Sequence, residues 1–201
     1  MNYELTDVMV EYRPEHERLL YSLGLAGSAF KKIYFDPNLD RQVALYIPAE
    51  DMIVPYGASN LETAERVTHV MRKTKNEMAK LQAAGFYRNV ELGDPVTFFT
   101  DIEEEKAKEG GFSLSSDDRY TLYEIHADVV LDEIDNEGGV EPRGMGLARG
   151  EDRNAGEDPQ LAKPYVITIE QGTGTVLAVR RNWNPDDPLT LKRHHFVHYV
   201  Y

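Results

Sequence analysis

The sequence predicts an α+β fold, mostly antiparallel sheet and hairpins with one or two packed helices, and three observations carry that expectation. Residues 120–132 alternate apolar and polar with period two, the pattern of a strand with two unlike faces. Residues 163–170 and 175–183 are two β-rich runs around Gln171-Gly172-Thr173-Gly174, whose glycines supply the positive φ of a hairpin turn. Residues 74–77 read TKNE, in which Thr74 and Glu77 can each cover the other's exposed backbone donor at a helix start. Hairpins with separate helices make α+β, and the chain reads as one such domain, 1–201.

The elements follow in order. Pro14 opens a helix, where its missing N–H costs nothing, and Leu19, Leu20 and Leu23 share a face before Gly24 and Gly27 weaken and end it. Two strands, SAFKKIYF and QVALYIPA, flank the turn DPNLDR, whose Asp, Pro and Asn favour reversal. VTHVMRK is a short strand, and the capped helix then runs over 75–84 with Met78, Leu81 and Ala84 as its apolar stripe. Gly85 sits where a left-handed cap belongs. Residues 93–118 are charged and Gly/Ser-rich around DIEEEKAKEGG; a short surface helix and a solvated loop are both open, with a mobile loop expected near 101–118. In the strand that follows, Tyr123, Ile125, Ala127, Val129 and Leu131 are expected inside, with Glu124, His126, Asp128 and Asp132 facing water. Residues 133–162 lack the apolar surface to order themselves and are expected to be a long mobile loop. After the hairpin and the turn NPDDP comes a last strand, 193–201, which stops without a polar tail. An excised piece of a longer protein, with sequence before Met1 and after Tyr201, is therefore expected.

Charge and composition narrow the function. Twenty-two basic against thirty-five acidic side chains give −13, too acidic for a domain that grips nucleic acid by neutralising phosphates. An acidic wall repels phosphate, however, and would let a duplex pass without sticking. The absence of cysteine removes disulfides, thiol nucleophiles and Cys-type zinc sites, and suits a reducing compartment. No apolar run reaches the ~20 residues of a membrane span, and the N-terminus lacks the pattern of a signal peptide.

Catalytic signatures are weak. On a strand, His194 and His198 share a face and His195 points away, so the three cannot all ligate one ion. His16-Glu17 has Leu20 where HExxH needs its second histidine. His69 and His126 are lone strand residues. Gly172-Thr173-Gly174 is followed by a strand and not by the helix a dinucleotide site requires. There is no phosphate-binding GxxxxGK[ST] and no GxSxG elbow; Ser28 and Ser59 sit in AGSA and GASN. The carboxylates at 103–105, 117–118, 132–137 and 186–187 lie in hydrophilic text, where solvation keeps them ordinary. No catalytic, cofactor-binding or metal residue is assigned. Arg180, Arg181, Lys192 and Arg193 flank Trp183; such a basic-aromatic set could form a nucleic-acid patch, small against the acidic background, and a subunit contact with acidic loops explains it equally well, Arg and Trp being favoured at interfaces.

One tract, LAGSAFKKIYFDPNLDRQVALYIPAEDMIVPYGASNLETAERVTHVMRKTKNEMAKLQAAGFYRNVEL, resembles phage portal proteins of the podovirus type. A second, KPYVITIEQGTGTVLAVRRNW followed by KRHHFVHYVY, resembles the next block of that family in the same order. The resemblance implies a structural subunit of a ring, dodecameric in the family, through which DNA enters and leaves the head at one capsid vertex. It implies the wing-like α+β region of the subunit, contacts with capsid protein, terminase and tail or adaptor proteins, double-stranded DNA in the channel, and no cofactor. It places the protein in the virion, and in the host cytoplasm during assembly. Arg180, Arg181, Trp183 and Arg193 are candidate subunit contacts. Two other classes remain, a head-completion or adaptor module and a small metal-dependent hydrolase around His194 and His198.

Overall fold

Residues 3–36, 39–95, 101–111, 119–130, 162–184, 186 and 191–201 are described by the structure, a computed structural model. Among them, three α-helices and two antiparallel sheets of eight strands in all make an α+β fold. The backbone divides into two compact units, Met1–His69 with Asn182–Tyr201, and Val70–Arg181.

In the first unit, α1 (Tyr12–Ala26) packs on a sheet of β1 (Ser28–Asp36), β2 (Arg41–Ile47) and β8 (Phe196–Val200). The helix begins two residues before Pro14 and passes through Gly24; Gly27, at φ 72°, stops it by donating its N–H to Leu23 O at 2.9 Å. Leu19 is buried while Leu20 is exposed, so the expected leucine face is split. The sheet order is β2-β1-β8, with β1 antiparallel to both neighbours. The strand pair expected at 28–35 and 42–49 is this β1–β2 hairpin. Phe30, Ile47, Met52, Ala64 and Val67 form the core, with Phe196 packed against it. β3 (Met52–Ile53) pairs with the first half of β4 (Arg66–Thr74), Met52 opposite His69.

β4 continues into the second unit, where it neighbours β5 (Arg119–Val129), β6 (Lys163–Glu170) and β7 (Val176–Arg181) in that order. Helix α2 (Lys75–Ala83) starts at the expected capping box: Glu77 N–H donates to Thr74 Oγ1 at 3.3 Å and Thr74 N–H to Glu77 Oε2 at 2.9 Å. Gly85 takes φ +73°, the left-handed position foreseen for it. Met78 of α2 joins Tyr87, Tyr120, Leu122, Leu177 and Ala178 in the core. The β6–β7 hairpin turns where the glycines stand, and Glu170 folds over it, accepting from Gly172 N–H at 2.7 Å and from Thr173 N–H at 2.6 Å.

Two expectations change. Asp101–Gly110 is α3, so the loop expected near 101–118 does not hold over those ten residues. Its Glu, Lys and Ala are good helix formers, and Ala107 is buried while Glu104 and Glu105 are exposed. β5 departs in part from the expected facing: Asp128 is exposed as expected, but His126 is buried with Tyr120 and Leu122, and Tyr123, Ile125, Ala127 and Val129 are only half-buried. Leu131 and Asp132 lie outside the described residues. His126 Nε2 lies 2.8 Å from Glu124 Oε1, and a paired buried group loses far less on desolvation than a lone one. The loop expected at 133–162 falls outside the described residues but for Ala162.

Candidate interaction surface

The first unit offers apolar surface at one end of α1. The helix turns Leu19 inward, and residues 20, 21, 24 and 25 fall on the opposite side at helical spacing. Leu20 is 55% exposed, Tyr21 87% and Leu25 88%. Gly27, just past the helix, accepts from the Tyr201 N–H at 3.1 Å, bringing the end of β8 alongside. Val200 and Tyr201 are themselves strongly exposed. Monomeric soluble proteins seldom leave contiguous apolar patches of size uncovered, so this end has the character of a contact surface.

Beneath that surface α1 is held by a buried lysine. Lys31 on β1 is 1% exposed, its Nζ 3.9 Å from the centre of the Tyr12 ring and 3.3 Å from His16 Nδ1. Burial pushes the Lys31 ammonium below its ordinary pKa, opposed by the nearby Glu15 carboxylate. Tyr46 of β2 adds two further ties to α1, its N–H to Glu15 Oε2 at 2.9 Å and its hydroxyl to Ser22 Oγ at 2.7 Å. Sequence reasoning missed Lys31, since a KK pair inside a strand normally signals one exposed face.

The four candidate contact residues part company. Arg180 closes β7 in the second unit with its guanidinium carbon 3.4 Å from the centre of the Phe86 ring and Nη2 donating to Phe86 O at 2.5 Å. Its Nε is buried without a hydrogen-bond partner, and burial pushes its pKa down against the pull of Tyr87 and Glu124. Arg180 is thus half-buried and already engaged within the second unit by Phe86. Arg181 is exposed. Trp183 and Arg193 belong to the first unit, where Trp183 is 8% exposed and Arg193 is exposed. Asn182, only 2% exposed, ties their segments together: its O accepts from the Arg193 N–H at 2.9 Å, its Nδ2 donates to Arg193 O at 3.2 Å, and its Oδ1 meets His195 Nε2 at 3.0 Å. No sequence signal marked Asn182, because a lone Asn near a turn reads as solvated.

The histidines do not converge. His198 stacks on Phe30 with ring centres 4.5 Å apart and meets Ser28 Oγ at 2.8 Å. His195 is engaged by Asn182, and His194 is exposed. Among the described residues no group of three or more His, Asp or Glu side chains is placed to hold a metal ion. In the second unit, α2 and the extended segment after it enclose a shallow groove lined by Lys75, Met78, Gln82, Glu91, Leu92 and Tyr120. That segment is pinned by Gln82 Nε2 to Val90 O at 2.8 Å and by the Tyr120 hydroxyl to Gly93 O at 2.6 Å. Among the described residues no helix is long and apolar enough to cross a membrane.

Compared with known proteins, the chain matches no family model and no curated protein.

Proposed function

We propose that this chain is a structural subunit, or the α+β part of one, of a phage portal ring of the podovirus type. The observation that carries the proposal is the pair of sequence tracts, 25–92 and 163–201, that resemble that family in its own order. The surface of the first unit supports it. A ring made by one repeated contact needs two unlike complementary patches on each subunit. The outer face of α1, where Tyr21 and Leu25 are exposed, is a candidate for one such patch.

In this role the protein is not an enzyme. It serves as the channel at one capsid vertex, with capsid protein, terminase and tail or adaptor proteins as neighbours and double-stranded DNA passing through. The net charge of −13 suits a conduit, since a wall that repels phosphate lets the duplex slide. Arg193 and Arg181, both exposed, are the basic residues proposed for subunit contact. Imaging and native mass of the natural full-length chain test the proposal, closed rings with a central hole being the expected result. In the same assay Arg193→Glu should reduce the fraction of rings; an unaltered fraction would remove Arg193 from the contact.

A further inference from the structure

The three-stranded sheet of the first unit has two edges, β2 and β8, and they are finished differently. Lys31 stands opposite Tyr46 across β1 and β2, and the Tyr46 N–H turns away from β1 to reach Glu15 Oε2 at 2.9 Å. Backbone groups of every second residue point the same way, so Gln42 and Ala44 also address the outer side of β2. There Gln42 O accepts from Arg41 Nη1 at 3.3 Å, and Arg41 Nη1 donates to Glu11 Oε1 at 2.7 Å. The second Glu11 oxygen is buried without a hydrogen-bond partner, and the bond from Arg41 holds that carboxyl below its ordinary range, against its burial. Glu11 and Glu15 are one helical turn apart, ~6 Å along the axis. Alternate strand residues are ~6.7 Å apart. The start of α1 thus places one carboxylate on the Tyr46 amide and a second on the Arg41 guanidinium that covers Gln42 O.

Among the described residues, no carboxylate is seen on the outward amides of the β8 edge. By the register with β1, the His198 and Val200 amides address its open side, and both residues are exposed. The strand FVHYV holds none of the lysines, acids or prolines that blunt exposed edges. Both β2 and β8 are antiparallel to β1, so they run in the same direction. A second copy turned about an axis beside the sheet can therefore lay its β8 along β2 and continue the sheet head to tail.

We propose that the start of α1 is an edge guard: Glu15 directly, and Glu11 through Arg41, occupy outer backbone groups of β2 and keep the β8 strand of a second copy from pairing there. The occupant that the guard excludes is a second copy because, among the described residues, the β8 edge of this sheet is exposed, uncharged and parallel in direction to β2. The inference does not rest on the portal proposal, since it concerns the 201-residue chain alone.

Sedimentation of the chain over a hundredfold range of concentration tests it with three proteins. The wild type should show no rise in mass that Val200→Pro abolishes. Glu11→Ala/Glu15→Ala should gain mass severalfold as concentration rises. Adding Val200→Pro, which removes an outward amide of β8 and leaves the bonds to β1 in place, should return the mass to that of the wild type. A double variant with unchanged mass overturns the guard. So does one whose association survives Val200→Pro, because its cause is then loss of structure and not edge pairing. A wild type that already associates in a Val200→Pro-sensitive way also overturns it, the open edges then pairing with each other.

Discussion

Lys31 is a buried cation and Arg180 a half-buried one, and each makes its own prediction. Lys31 holds its proton less tightly in the folded chain than in the unfolded one, because burial disfavours the ammonium. The unfolded state therefore binds more protons in the alkaline range, and stability should rise with pH from the lowered value toward the ordinary lysine range. Lys31→Met keeps the stem against Tyr12 and removes the charge. Urea unfolding should find this variant as stable as the wild type or ~1 kcal/mol more so, with the alkaline rise flattened. A large loss of stability would mean that the cation over Tyr12 and the bond to His16 outweigh desolvation. Arg180 is the opposite case, since its stack on Phe86 and its bond to Phe86 O are lost together. Arg180→Ala should cost ~2–3 kcal/mol in denaturant unfolding. Arg180→Lys should recover little, because an ammonium lacks the planar fork that both stacks and donates.

At the scale of elements, the capping box and the hairpin were legible because both are local. Thr74 and Glu77 lie three residues apart and satisfy each other, and Gln171-Gly172-Thr173-Gly174 bends wherever it occurs. Thr74→Ala removes the acceptor of the Glu77 N–H and should cost ~1 kcal/mol, with faster amide exchange confined to the first turn of α2. The facing of β5 was not legible. Polarity alternates along it as on a half-wetted strand, but Glu124 and His126 pair two residues apart, and that pair lets His126 turn in while Asp128 stays exposed. The sequence likewise gives no sign that Gly24 is carried inside α1, since the stop at Gly27 depends on a left-handed residue and not on glycine content. The edge guard escapes a linear reading altogether: Glu11 and Glu15 look like solvated helix acids until β2 lies beside them.

For the whole molecule, the α+β class followed from patterning alone, whereas the function rests on family-like text. The −13 charge would keep isolated copies apart in dilute salt, and uncovered apolar residues such as Tyr21 and Leu25 give them a reason to meet. The most direct test of the portal proposal is the native mass of the full-length chain, measured with images of the same sample at several salt concentrations. The account predicts closed rings of many subunits around a central hole. A monomer or dimer at every salt concentration would contradict it and favour an adaptor or enzyme in its place.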